Sequence, residues 1–341
     1  MRSSWLITVG QRLLEALPTL VGIIVVTFVL TRSLPGDPAV YFAGPAADAQ
    51  SIAETRTSMG LDQPLPVQFG RYVQNLAKGD WGVSHNTGRP VVEELGRRLP
   101  ASLELTLLGL LLSMVVAIPL GVLAATRPNS LVDHACRVVV TAGVSMPVFF
   151  TGLLLVYVFY YLLGWAPSPL GRLSFMYIEP ESVTGLYLID SLIAGDFEVF
   201  MASARQIALP AITLGIFAMA PIARMTRAAM IGVLASDYIR TARASGLAPS
   251  TVLFTYALRN AMLPVLTTLG MVFSFLLGAN VLVEKVFSWP GIGSFAVDAL
   301  VASDYAAVQG FVLSMALLFV SLNLAIDLLY TLIDPRMGGK E

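Results

Sequence analysis

Residues 105–126 read LTLLGLLLSMVVAIPLGVLAAT, 22 positions without an Asp, Glu, Lys or Arg. A helix of about 20 mostly apolar residues crosses the hydrocarbon core of a bilayer. Other charge-free stretches are Ala16–Thr31, Val138–Gly171, Gln206–Ala223, Asn260–Val283 and Tyr305–Ile326. Ala16–Thr31 reaches spanning length by extending back over Leu13 and Leu14, and Gln206–Ala223 by extending toward Met230. Val138–Gly171 fits one span plus a loop entrance, but not two spans with a turn. The expectation is an all-α integral membrane protein with six transmembrane helices.

Composition points the same way. Of 341 residues 56% are hydrophobic and 13% charged, with a mean hydropathy of +0.76. Soluble domains carry about 25% charged residues. The net charge of −1 gives no electrostatic reason to expect nucleic acid. The single cysteine, Cys136, excludes an internal disulfide and a multi-cysteine metal site. His85 and His134 match no ligand spacing, and no clustered His/Asp/Glu/Cys constellation suggests an integral-membrane enzyme.

The first span follows Arg2 and Arg12, as a signal peptide would, but its apolar part exceeds a signal core. A retained anchor is expected. Six spans place both termini on one side, and basic residues choose the cytoplasm. Inside segments then hold Arg2, Arg12, Arg127, Arg137, Arg224, Arg227, Arg240, Arg243, Arg259, Arg336 and Lys340. The two shorter outside loops hold only Arg172, Arg205 and Lys285 among eight acidic residues. The first outside segment, Arg32 to about Pro100, carries seven of each sign, and loops of that length translocate largely regardless of charge.

That segment carries its own signals. Phe69, Tyr72, Val73 and Leu76 share one face of a helix predicted over 66–78, with Pro66 in its first turn and Gly79 at its stop. Pro35-Gly36-Asp37-Pro38 and Gly79-Asp80-Trp81-Gly82 read as turns. A second external segment, about Trp165 to Arg205, is rich in Pro, Gly and acid. The two together suggest a cap, and both packing over the bundle and docking of a soluble partner fit it. A third, Phe287-Ser288-Trp289-Pro290-Gly291-Ile292-Gly293, suits an interfacial or re-entrant turn with Trp at headgroup level.

Between the fourth and fifth spans lies Ser236-Asp237-Tyr238-Ile239-Arg240-Thr241-Ala242-Arg243-Ala244-Ser245-Gly246-Leu247-Ala248-Pro249. Ser236 suits an N-cap, Asp237 complements the positive helix end, and Gly246 suits a left-handed stop with Pro249 beyond it. A short helix is predicted between them, with Arg240 and Arg243 sharing a face. Ser250 is expected to cap a second helix through Leu253, Tyr256, Leu258 and Ala261 into Pro264. The arginines, with Arg224 and Arg227, are also what topology alone would ask for.

This segment resembles the EAA loop of binding-protein-dependent ABC importer permeases. Arg240-Thr241-Ala242 occupy the E-A-A positions and Gly246 the glycine, and Leu263-Pro264 lies farther on than the general pattern prescribes. Both departures match the peptide-permease branch, whose form runs through Tyr238–Leu247 and Ala257–Pro264 here. Pro35-Gly36-Asp37-Pro38, Gly79-Asp80-Trp81-Gly82, Phe287-Ser288-Trp289-Pro290-Gly291 and Asp334-Pro335-Arg336 extend the resemblance nearly end to end. The long second external segment, with Leu186 to Asp190, is most similar to the dipeptide-type subunit.

The resemblance implies a six-helix type I importer permease of the bacterial inner membrane, with a cap between spans one and two. It would comprise a tail and first helix (1–32), an external segment (33–100) and a five-helix core (101–341) with a coupling loop at 231–262. Implied partners are a second homologous permease, two ATP-binding subunits, an extracytoplasmic solute-binding protein, a dipeptide or short-peptide substrate and lipid. ATP and Mg would bind the ATPases, since this chain has no phosphate-cradling Gly-x-x-x-x-Gly-Lys-Ser/Thr loop. It would itself be non-catalytic and hold no cofactor.

Arg240, Thr241, Ala242, Arg243, Gly246 and Leu247 would couple to the ATPases. Asn323, Asp327 and Glu104 are candidates for the path; near the inner boundary, bonding to a neighbouring helix is the plainer role for Asp327. Asp80, Trp81, Trp289, Pro290 and Gly291 are candidates for external docking or a gate. Gly109, Gly121, Gly152, Gly215 and Gly270 are expected to permit close helix contact. The same architecture also suits nickel, glutathione or another small solute. A secondary transporter would be expected to carry internal repeats and mid-membrane charges, neither of which is evident.

Overall fold

The computed structural model describes residues 2–33, 38–44 and 47–333. These are mostly helical, with longer irregular stretches at 78–90 and 163–186, and their one β contact is an isolated antiparallel bridge between Val83 and Pro90. The helices are α1 (Arg2–Ser33), α2 (Pro38–Ala43), α3 (Ala49–Ser58), α4 (Leu65–Ala77), α5 (Val91–Thr126), α6 (Leu131–Val144) and α7 (Val148–Leu155). They continue as α8 (Tyr187–Ile193), α9 (Phe197–Leu234), α10 (Asp237–Ala244), α11 (Arg259–Val286), α12 (Ile292–Val301) and α13 (Tyr305–Ile333). Wider π-type turns prolong α7 over Val156–Leu162 and lead into α11 over Thr251–Leu258.

Four runs are long and apolar enough to cross a bilayer: α5, α9, Thr251–Val286 and Tyr305–Ile326 of α13. α6 and α7 with its extension form a further apolar pair, bent by 95°, and Leu17–Val29 is the apolar part of α1. These cover the expected apolar stretches, but the third is broken rather than straight. Pro147 explains the break: it lacks an N–H to continue the ladder and disfavours helical geometry at Met146. Ser145 ends the first half and Pro147 opens the second.

The chain divides into two compact units, residues 1–99 with 292–341, and residues 100–291. In the first, the predicted amphipathic helix is α4, which ends at Ala77 and is followed by the cap Lys78 and the left-handed Gly79. Its aromatic face meets α1, where Phe28 lies edge-on to Phe69 at 5.2 Å and near Tyr72 at 5.8 Å. A buried cluster joins Val91 and Leu95 to Ile292, Phe295, Ala299 and Ala307. Beside it the buried Asp304 accepts from the Ser84 hydroxyl at 2.6 Å and the Asn86 amide at 3.1 Å. The turn 35–37 and Asp334-Pro335-Arg336 fall outside the described residues, as does the Asp327 side chain.

The second unit is a packed bundle whose core runs from Ala101 and Leu105 through Ile207, Leu214 and Ile222 to Leu276 and Trp289. In lipid an apolar side chain gains little by leaving acyl chains, so helices must hold one another by close contact and polar bonds. Four of the expected glycines, Gly109, Gly121, Gly152 and Gly215, supply such contact. A Cβ on Gly109 would sit 2.8 Å from Leu214 Cβ, and one on Gly121 would sit 2.6 Å from Thr226 Cβ and 2.8 Å from the Ala223 carbonyl. Gly215 faces the Gly109 carbonyl in return, and Gly152 faces Phe287 and Thr213. Backbone of α9 therefore meets backbone of α5 directly.

Gly121→Ala should accordingly lower the thermal midpoint of detergent-solubilised protein, at a cost of about 1–3 kcal/mol for forced overpacking. Gly232→Ala, where nothing lies within 4 Å, should leave the midpoint unchanged or raise it slightly. Thermal denaturation of the two variants side by side checks this.

Candidate functional site

The loop singled out in the sequence folds as a short helix seated on the bundle. α10 begins after Ser236, whose backbone is extended as an N-cap requires. The Ser236 hydroxyl does not cap; it donates back to the Val233 carbonyl at 2.6 Å. The stop is as expected. Gly246 is left-handed at φ 74°, its N–H bonds the Arg243 carbonyl, and the Leu247 N–H bonds the Ala242 carbonyl. That pair of reverse bonds is a Schellman closure. The second helix does start after Ser250 as expected, but Ser250 has helical backbone and its side chain makes no cap. The chain continues from Thr251 into α11 with Pro264 inside it, because the π-type turns absorb the entry without a break.

One face of α10 is anchored. Ile239 is fully buried and Ala242 is 7% exposed, packed with Val122, Ala125, Met230, Val252, Ala257 and Ala261. Burying an isoleucine side chain contributes about 1.5–3 kcal/mol where water is the alternative. The other face is open. Arg240, Thr241, Arg243, Gly246 and Leu247 are exposed, as is Tyr238. Arg240 makes one solvent-exposed contact, 3.4 Å to Asp237, which contributes little. The helix thus presents two guanidinium groups from a rigid seat.

Of the remaining candidates, Glu104, Trp289 and Gly291 are buried, whereas Asp80 and Pro290 are exposed. Glu104 is buried and bonds Arg172 at 2.6 Å, while its other oxygen accepts the Leu188 amide at 2.8 Å. With both oxygens engaged, Glu104 holds the segment 172–188 against α5. Arg172 also donates to the Gly185 carbonyl and lies 3.6 Å over the Tyr187 ring. Burial pushes the Tyr187 hydroxyl up to about 12, with the charge of Glu179 adding to it. Asp190 tightens the same turn by accepting from Val183, Gly185 and both the amide and hydroxyl of Thr184. Burial opposes its charge, yet the donors together hold it below the usual carboxylate range.

Trp289 is not at a headgroup surface. It is 1% exposed and donates from its indole to the Ala101 carbonyl at 2.9 Å. Gly291 is buried where a Cβ would strike Glu284, and Pro290 is exposed beside them. In the other unit Asp80 is exposed and accepts from Gly82, Trp81 is half-buried, and Asn323 is exposed on α13.

A polar cluster escaped the sequence reading. Glu284, 1% exposed, accepts from Asn280 at 2.9 Å and from Ser102, and Asn280 also donates to Thr106 at 3.2 Å. The four-residue spacing of Asn280 and Glu284 on one helix face was the available signal. Glu284 reads as a loop residue because it follows the apolar stretch immediately.

Comparison with known proteins agrees with this architecture. Residues 117–339 match the family model described as binding-protein-dependent transport system inner membrane component, and residues 6–106 match the corresponding N-terminal model. The chain belongs to this family of inner-membrane transport components. It is 45% identical over 317 residues, covering 93% of each chain, to a probable D,D-dipeptide transport system permease protein of Escherichia coli K12. It is 44% identical to a di/tripeptide transport system permease protein of Pseudomonas aeruginosa UCBPP-PA14, covering 96% of this chain and 98% of that one. A glutathione transport system permease protein of E. coli K12 is 38% identical over 97% of this chain and 98% of its own length. Among solved structures, an inward-facing conformation of the MetNI methionine ABC transporter aligns with a TM-score of 0.53 at 18% identity. That match covers 71% of this chain and 96% of the other, and it shows a shared fold.

Replacing Arg172 by Met should strand a buried carboxylate, at a cost of about 3–5 kcal/mol. The double variant E104L/R172M should recover most of that loss. Limited proteolysis of residues 172–190, with thermal denaturation of both variants, provides the check.

Proposed function

We propose that this chain is one transmembrane permease subunit of an ATP-driven, binding-protein-dependent importer of dipeptides or short peptides. The observation that carries the substrate class is the 44–45% identity, nearly end to end, to permeases named for dipeptides and di/tripeptides. The 38% identical glutathione permease supports a second reading, in which the same framework imports glutathione or another small solute.

In this reading the chain forms half of the pathway with a second homologous permease. Two ATP-binding subunits carry ATP and Mg, and an extracytoplasmic binding protein delivers the peptide. Both termini face the cytoplasm. α10 is the transmitting element: Arg240, Thr241, Arg243, Gly246 and Leu247 meet the ATPase, while Ala242 and Ile239 tie the helix to α5, α9 and α11. A force applied to α10 then moves helices rather than a slack loop. Closure of the ATPases turns the cavity outward, the peptide enters, and hydrolysis restores the inward-facing state. The role of this chain is path and gate, without catalysis.

Reversal of both exposed cations, R240E/R243E, should release the ATP-binding subunits during purification while membrane insertion and the thermal midpoint stay unchanged. Normal co-purification would contradict the docking role. Competition binding to the solute-binding protein, with dipeptides against glutathione, decides between the two substrates.

A further inference from the structure

The geometry points to a binding site for an anionic phospholipid of the cytoplasmic leaflet, formed by α5, α6, α9 and α11 within the unit 100–291. Two cavities meet at Arg224. One, of about 90 Å³, is lined by Arg137, Arg224 and Arg227 together with Cys136, Thr141 and Val140. The other, of about 360 Å³, is apolar and lined by Val144, Phe217, Pro221, Met271, Val272 and Phe275, again with Arg224 at its edge. A broader hollow of about 580 Å³ opens from the first past Arg137 and Thr141 to His134 and Val138.

The charges are unbalanced. Arg227 is satisfied by Asp133, which accepts its Nε and Nη2 at 2.7 Å each. Arg137 reaches the same carboxylate only at 3.5 Å. Arg224 is exposed and, among the described residues, makes no hydrogen bond or ion pair. Asp133 is fully buried, with its oxygens also engaged by the Asn129 amide, and no Asp or Glu lines the cavities among the described residues. The site therefore offers an open guanidinium beside an apolar channel, at the helix ends that the basic-residue bias assigns to the cytoplasm. Basic pockets between transmembrane helices on that side suit phosphate headgroups.

The occupant follows from what is missing. A zwitterionic peptide would place its ammonium among guanidinium groups or against Phe217 and Met271, with no carboxylate to receive it, and such burial is unfavourable. An anionic phospholipid carries no such group: its phosphate meets Arg224 and Arg137 and an acyl chain lies along the apolar cavity. Exposed Val138 and Val139 on α6 continue that apolar surface into the bilayer.

The test is native mass spectrometry of the complex as purified from membranes, placed in nanodiscs of phosphatidylglycerol or of phosphatidylcholine. Retention of phosphatidylglycerol over phosphatidylcholine is expected. Arg224→Gln should weaken it about fivefold and R137Q/R224Q about 25-fold, from the contribution of each basic residue to anionic-lipid binding. Arg224→Lys should retain most of it. Because Arg224 has no hydrogen-bond or ion-pair partner among the described residues, the single variant should fold with an unchanged thermal midpoint. Equal retention of the two lipids, no loss in Arg224→Gln, or stoichiometric displacement of the lipid by dipeptide would overturn the site.

Discussion

The structure rests on direct contact between helix backbones in the unit 100–291. Lipid offers the helices no hydrophobic reward for associating, so the fold must find its cohesion in van der Waals contact and in buried polar bonds. Gly109, Gly121 and Gly215 remove the side chains that would hold α5 away from α9. Where backbones come that close, a movement of one helix is passed to the other, because a packed interface has no slack to absorb it.

The buried polar groups mark the ends of that packed region. At one end, Glu104 and Arg172 hold the segment 172–188 against α5, and Ser102, Asn280 and Glu284 join α5 to α11. At the opposite end Asp133 ties α6 to α9 through Arg227. A buried ion pair is weak evidence for stability by itself. Its directional requirement is what serves here, since each pair fixes one orientation between elements that apolar packing alone would let slide.

Much of this was legible from residue patterns, for identifiable reasons. A charge-free stretch is a demand of the solvent, so the apolar segments and the helix at 65–77 could be read directly. Gly246 could be placed because a left-handed stop excludes most side chains. The break at Pro147 was hidden by a stretch that stays apolar through the kink, and the seamless entry through Thr251–Leu258 by the favourable capping chemistry of Ser250. Trp289 and Glu284 misled for a common reason. Their local context reads as surface, whereas partners far away in sequence, Ala101 and Ser102, bury them. Tertiary contacts of that kind leave no local pattern. The open face of α10 was readable as to its residues, yet the anchoring of Ile239 and Ala242 required the fold.

The central claim is that α10 belongs mechanically to the bundle rather than hanging from it as a loop. Hydrogen exchange of the membrane-embedded protein tests this directly, comparing amides 240–244 with amides 226–234 of α9 in the native chain and in Ile239→Ala. The account predicts that native α10 amides exchange through the same opening as α9, and that loss of the isoleucine uncouples them, with α10 exchanging much faster. Free exchange of α10 in the native protein, unaltered by the substitution, would contradict it.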